Sequence, residues 1–214
     1  MTIRLFLADD HAVVRDGLQL LLESQGDLTV VGLAANGREA VKHIQRLRPD
    51  VALLDIAMPE LNGIEAAQQI GELCPETRVI ILSMHATREH ILRALQAGAR
   101  GYLLKESAGA EVAAAVRAVV EGRRYLSQKI ADAVVEEFAA GTRPPNPLNS
   151  LTPREREILQ LVVEGKSSAE IAAALVLSPK TVDTYRSRLM QKLGLPDLPA
   201  LVKFAIQHGL ISLE

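Results

Sequence analysis

The sequence predicts two domains of different class: an α/β domain with a doubly wound, five-stranded parallel sheet, then an all-α helix-turn-helix domain. Three observations carry this. Five short apolar runs, each followed by a stretch of helical spacing, alternate through residues 1–121; this is the pattern of parallel strands joined by helical crossovers and covered on both faces. Residues 141–150, G-T-R-P-P-N-P-L-N-S, are dense in Pro and polar side chains, a composition that forms extended, semi-rigid spacers. Beyond them come four helical segments, two of them short and separated by a tight turn. The predicted boundaries are 1–121 for the first domain, 122–149 for a linker helix and Pro-rich linker, and 150–214 for the second.

The totals are compatible with this division. A chain of 214 residues that is 48% apolar can build two modest cores, although aromatic residues make up only 3%. Charged residues interrupt every apolar run before membrane-spanning length. Asp9 and Asp10 arrive too early for a signal peptide. The single Cys74 excludes an internal disulfide and suits a reducing compartment. The expectation is a soluble, cytoplasmic protein with no membrane partner. The net charge of −2 is unevenly spread: residues 150–214 carry eight basic and seven acidic residues, and residues 178–193 carry four basic and one acidic. The positive field is confined to that one segment.

In chain order, Ile3–Ala8 reads as a buried strand closed by Asp9-Asp10, and Val13, Val14, Leu18, Leu21 and Leu22 then recur at helical spacing. Leu28–Gly32 is a second strand and Arg38–Leu47 a second helix, stopped before Pro49. Val51-Ala52-Leu53-Leu54 is a third strand ending in Asp55, with Pro59 and Asn62-Gly63 as turn signals and a helix after Gly63. Val79–Leu82 ends in Ser83, and residues 87–97 are helical. Gly101–Leu104 ends in Lys105, and a helix over Ala108–Glu121 completes the alternation. Ser127–Ala140 is a further helix, capped by Ser127, with Ile130, Val134, Val135 and Phe138 as its apolar stripe.

A lone acid at a strand end is ordinary. Here four strand ends deliver Asp9-Asp10, Asp55, Ser83 and Lys105, and in a parallel sheet these lie on one edge, where open α/β sheets place their chemistry. Three carboxylates together repel one another. A hard divalent cation such as Mg²⁺ removes that conflict. An ionised Asp55 can act as a nucleophile toward phosphorus, and Lys105 and Ser83 offer a positive charge and a hydroxyl to the incoming anion.

With Asp9-Asp10, D-I-A-M-P-E-L-N-G around Asp55, Ser83 and Tyr102-Leu103-Leu104-Lys105 in place, residues 1 to about 121 resemble the receiver domain of two-component response regulators, a flavodoxin-like fold. The resemblance implies a sensor histidine kinase that donates a phosphoryl group to Asp55. It further implies Mg²⁺ held by Asp10, Asp55 and the Ala57 carbonyl, with Asp9 acting mostly through water. Asp55, Lys105 and Ser83 take the catalytic roles, and Ser83 and Tyr102 the switch positions. Two departures from the family pattern are Met84 after the switch hydroxyl, where a small residue is usual, and Glu106 after Lys105, where Pro is usual.

Other signals lead nowhere. Gly32 to Gly37 has the glycine spacing of a P-loop, but Arg38-Glu39 replaces the Lys-Ser/Thr it needs. His11 and His85 flank the acids without a second nitrogen or sulfur ligand at useful spacing, so they read as site-edge residues. His43, His90 and His208 carry no signal.

In the second domain, Thr152-Pro153-Arg154-Glu155 combines a capping box with Pro at the first helical position. Helices follow from Ser167 to Leu175, from Ser178-Pro179 to Leu193, and over Leu198–Gln207. In the third of the four helices, Val182, Tyr185, Leu189 and Leu193 recur on a core face. Lys180, Thr181, Asp183, Thr184, Ser187, Arg188, Gln191 and Lys192 are candidates for DNA contact. L-T-P-R-E-R-E-I-L-Q-L-V-V-E-G and S-P-K-T-V-D-T-Y-R-S-R-L-M-Q-K-L resemble the LuxR-type helix-turn-helix, and the two resemblances together match the NarL/FixJ class of response regulators. They imply a phosphorylation-controlled transcription regulator with double-stranded DNA and RNA polymerase as partners. They imply no enzyme activity beyond its own phosphotransfer and slow self-dephosphorylation. Leu198, Leu201 and Val202, with Ile206, form an apolar stripe that is a candidate either for pairing two subunits into a homodimer or for packing within the domain. The alternative is a phospho-independent regulator whose first domain serves dimerisation or docking. A phosphatase of the dehalogenase type needs a second acid two residues after its nucleophile, and Ala57 stands there.

Overall fold

The structure, a computed structural model, describes residues 2–84, 87–132, 134, 147–208 and 210. Contacts divide the chain into two units, residues 1–142 and 143–214.

Unit one alternates β1 (Ile3–Ala8), α1 (Ala12–Glu23), β2 (Leu28–Ala34), α2 (Gly37–Leu47), β3 (Val51–Asp55), α3 (Gly63–Leu73), β4 (Arg78–Ser83), α4 (Arg88–Gln96), β5 (Gly101–Leu104) and α5 (Lys105–Val120). The strands lie in the order β2-β1-β3-β4-β5, all parallel, and a two-residue β6 (Tyr125–Leu126) joins beyond β5. The sheet therefore has six strands where five were expected. Two residues are too short to show a periodicity, and β6 is held by pairing Tyr125 with Gly101 and Leu126 with Tyr102.

The pleat sorts the apolar runs between two cores. Val51 and Leu53 of β3 join Leu5, Leu7, Ile80, Leu82 and Leu103 under α1 and α5. Ala52 and Leu54 join Phe6, Ile81 and Tyr102 under α2, α3 and α4. A run that is apolar at every position is thus a strand buried on both faces. The fifth helix begins at Lys105 rather than Ala108: a Pro at position 106 would push Lys105 away from helical angles, and with Glu106 there Lys105 is free to adopt them.

Residues 128–132 and 134 are helical, and Ile130 and Val134 pack into the core that holds Tyr102. The rest of the expected 127–140 helix, with Val135 and Phe138, lies outside the described residues. Ser127 caps through its carbonyl, which accepts from the Ile130 and Ala131 amides at 2.9 Å; its buried hydroxyl makes no cap bond.

Unit two holds a 3₁₀ turn (Pro147–Ser150), α6 (Pro153–Val163), α7 (Ser168–Leu175), α8 (Pro179–Leu193) and α9 (Leu198–Gln207). The first two of the four helix starts are reciprocal capping boxes, Thr152 with Glu155 as predicted and Ser167 with Glu170. Ser178 and Asp197 cap α8 and α9 through the Thr181 and Ala200 amides. Leu148, expected in the linker, is buried in this unit's core beside Ile158, Ile171, Val182 and Leu189. Residues 141–146 of the Pro-rich stretch lie outside the described residues. No helix among the described residues is long and apolar enough to cross a membrane.

Candidate functional site

Register sets the geometry of the sheet edge. Ala8 pairs with Leu54, so Asp9 stands level with Asp55; Asp55 pairs with Leu82, and Ser83 with Leu104. From β3 to β4 and again from β4 to β5 the strand end lies one residue further along, and the long Lys105 side chain spans that stagger. Its ammonium lies 2.8 Å from Asp9 Oδ2 and 2.9 Å from Asp55 Oδ2. Asp9 and Asp55 are each only 2% exposed, and Ser83 is 4%. One cation therefore faces two buried carboxylates.

The loop after Asp55 explains its own sequence. Gly63 has no room for a Cβ, which would stand 2.0 Å from the Asp55 carbonyl oxygen. Asn62 Oδ1 accepts from the Ile64 and Glu65 amides at 3.1 and 3.0 Å, starting α3 directly behind the site. Glu60 takes the left-handed conformation, φ +66°, to make the turn. Ala57 lies exposed at the mouth of this loop.

Burial pushes the Asp55 carboxyl up to about 6; the Lys105 charge pulls it down, while Asp9 and Asp10 add to the rise. Burial lowers the Lys105 ammonium, but Asp55 and Asp9 more than offset that and its pKa is raised. Burial also pushes Tyr102 up to about 12, against a hydrogen bond to the Ser83 side chain. Ser83 at the end of β4 and Tyr102 in the neighbouring β5 are thus joined beside Asp55. Met84, the next residue, is 68% exposed and stands in solvent.

Oxygens of Asp9, Asp10 and Asp55 and a nitrogen of His11 all lie within 4.8 Å of one another. This hard, anion-rich donor set fits a divalent cation. His11 sits closer to the acids than its sequence suggested: Nδ1 is 2.7 Å from Asp10 Oδ1, and its amide donates to Asp9 Oδ1 at 2.9 Å. Arg15 also braces the site, donating to the Asp9 carbonyl at 2.6 Å. His85 lies outside the described residues. Sequence reasoning missed a buried ion pair behind the site, Arg93 Nη2 to Glu65 Oε1 at 2.9 Å, which ties α4 to α3. Its only signal was a charge on the apolar face of each helix.

On α8, Val182 and Leu189 are buried, while Lys180, Asp183, Thr184, Ser187, Arg188, Gln191 and Lys192 are exposed and Thr181 is half-buried. Lys192 is not free for DNA: its ammonium bonds Glu155 Oε2 at 2.7 Å, holding α8 to α6. The Glu155 side chain is thereby structural, as its place in the capping box suggested.

The pairing residues are corrected at one position. Leu201 is 1% exposed, inside the core of its own unit, because α9 turns that face toward α6. Leu198, Val202 and Ile206 instead line an apolar groove with Pro199, edged by Lys203 and Gln207.

Residues 5–117 match the family described as "Response regulator receiver domain", and residues 149–205 match "Bacterial regulatory proteins, luxR family". The chain is 37% identical to oxygen regulatory protein NreC of Staphylococcus aureus (strain JH9), over 98% of its own length and 100% of that protein's. Among solved structures, a LuxR-family two-component response regulator from Aurantimonas sp. SI85-9A1 is similar at a TM-score of 0.63 and 37% identity, over 65% of this chain and 99% of that one. The response regulator RcsB in a DNA complex is similar at a TM-score of 0.60 and 25% identity, over 95% and 98% of the two chains.

Proposed function

The chain belongs to the two-component response regulators with a LuxR-type DNA-binding unit, phosphorylation-controlled transcription regulators, and we propose that its switch is a phosphoryl group accepted on Asp55 from a sensor histidine kinase. The observation that carries this is the Lys105 ammonium lying between Asp9 and Asp55 at the carboxyl edge of the sheet. An Asp55 oxygen attacks the phosphorus of a phosphohistidine. The O–P bond forms as the N–P bond breaks, and the imidazole nitrogen leaves with the electron pair. Asp9, Asp10, Asp55 and the Ala57 carbonyl would hold Mg²⁺, which offsets the charge gathered on the phosphoryl oxygens.

Lys105 answers the charge that remains. Ser83, beside Asp55, turns its hydroxyl toward the new phosphate, and Tyr102 follows because the two are hydrogen-bonded. The acyl phosphate adds roughly −1.5 to −2 charges at the site, enough to bias a two-state surface around residues 84–108. Hydrolysis of the same bond by water resets the switch, and no further enzyme activity enters this reading.

The output is binding of double-stranded DNA by the exposed face of α8, through Lys180, Thr181, Asp183, Thr184, Ser187 and Arg188. The apolar groove at Leu198, Val202 and Ile206 suits pairing of two copies, which would read half-sites about ten base pairs apart or a multiple of that. Such a dimer acts in the cytoplasm, on RNA polymerase at the promoters it occupies.

The test is DNA binding by wild type and Asp55→Asn with Mg²⁺ and a small-molecule phosphodonor, tracking phosphate by intact mass. Wild type alone should gain one phosphate and bind DNA more tightly. Equal binding by both, phosphate or not, would remove the switch and leave the first unit as a docking module.

A further inference from the structure

The exposed face of α8 carries a single acid, Asp183, among the cations and hydroxyls that suit a polyanion. Phosphates repel a carboxylate, and a carboxylate accepts hydrogen bonds without donating any. Phosphate oxygens also only accept, so Asp183 has no partner on the DNA backbone. The complementary groups in the major groove are the amino groups of cytosine (N4) and adenine (N6).

The surroundings of Asp183 sharpen this. Its Oδ1 accepts from Ser168 Oγ of α7 at 2.6 Å, and Ser168 Oγ accepts in turn from Arg186 Nη1 at 3.2 Å. The carboxylate is therefore fixed by a second helix and backed by a cation, while Oδ2 is left for a ligand. Its neighbours on the face are committed as donors: Thr184 Oγ1 donates to the Lys180 carbonyl at 2.9 Å, and Ser187 Oγ to the Asp183 carbonyl at 3.1 Å. With their protons spent on the helix, all three side chains present lone pairs outward. The middle of the face asks for donors, with Lys180 and Arg188 at its flanks for phosphates or guanine.

Adenine offers an acceptor (N7) beside its amino group and is matched by a side chain that both donates and accepts; a carboxylate matches cytosine. Building on the DNA-binding reading above, we propose that Asp183 is a specificity-determining residue that selects a cytosine in each half-site, with Ser168 as its positioning residue.

The test is selection of binding sites from randomised duplex DNA by the full chain, with Mg²⁺ and phosphodonor, for wild type, Asp183→Asn, Asp183→Ala and Ser168→Ala. Wild type should enrich cytosine at one position per half-site by about tenfold over the other bases. Asp183→Asn, isosteric but able to donate, should move that position to adenine, and Asp183→Ala should leave it without preference. Ser168→Ala should weaken the cytosine preference without replacing it. Identical base preferences in all four proteins, with the Asp183 variants merely binding every sequence more tightly, would overturn the proposal and leave Asp183 as an electrostatic brake. No enrichment of any sequence by wild type would overturn the DNA-binding reading itself.

Discussion

The two units handle charge in opposite ways. The first packs Asp9 and Asp55 with Lys105 at the edge of a sheet buried on both faces, so that one cation serves two carboxylates. The second leaves Lys180, Asp183 and Arg188 in water on one helix face. Charges in the first site interact through protein and shift one another's protonation. Those in the second are screened by salt until a ligand covers them. A substitution in the first site should therefore register in the protein alone, whereas one in the second should register only with DNA present.

Lys105→Ala should show the largest effect on the free protein. It leaves two buried carboxylates facing each other without their cation, a loss of about 3 kcal/mol by analogy with broken buried pairs. Denaturant melts without metal should show a large drop in midpoint, and millimolar Mg²⁺ should restore part of it.

Asp55→Asn should act in the other direction. The folded pKa of Asp55 is raised from 3.8 to about 6, so between those values the folded state holds a proton that the unfolded state has lost. Stability from this group is greatest at low pH, falls as pH rises toward about 6, and is flat above. Removing the charge should stabilise the metal-free protein at pH 7 by about 1–2 kcal/mol, discounted for solvent at the site mouth. It should also flatten this part of the pH profile and blunt the stabilisation by Mg²⁺. Thermal melts of both proteins across pH 4–7, with and without Mg²⁺, check all three; an unchanged slope would mean that Asp55 is ionised throughout.

A comparison of backbones gives a smaller effect. Unit two ends α7 on Val176 in the left-handed region, φ +55°, with its side chain 92% exposed, a β-branched residue where glycine or asparagine is at ease. Val176→Gly removes the steric penalty but loosens the unfolded chain. The net gain should be about 1 kcal/mol, read as a higher melting midpoint of unit two and no change in unit one.

How much of each unit was legible in the sequence follows from the same contrast. The acidic edge was readable because a parallel sheet sends every strand end to one side, so the strand-terminal residues Asp9, Asp55, Ser83 and Lys105 converge whatever the loops do. The core of β3 was readable because no position in Val51–Leu54 is polar. What escaped depended on contacts far apart in sequence: the pairing of β6 with β5, the Arg93–Glu65 pair, and the Lys192–Glu155 bond that withdraws a cation from the DNA face. Which of the two readings holds for Leu201 was undecided for a related reason. The stripe on α9 is continuous in periodicity, and only packing against α6 decides which of its leucines is core. The helical α8 face was legible as a face, while the bond from Ser168 that orients Asp183 was not, since hydroxyls fifteen residues away carry no pattern.

The smallest effect on the free protein, and the sharpest division between the units, should come from Arg188→Ala. Arg188 is exposed on α8, and a surface charge of this kind changes stability by no more than about 0.5 kcal/mol. Against DNA the same guanidinium displaces a counterion where it meets a phosphate, so its loss should weaken binding to all sequences alike. The slope of log affinity against log salt should become shallower by about 1. If affinity falls for one base at one position while the salt slope stays constant, Arg188 reads a guanine and the phosphates are held by other residues. Either way the melting midpoint should match wild type, unlike that of Lys105→Ala, because in this unit the charge does its work only when the ligand arrives.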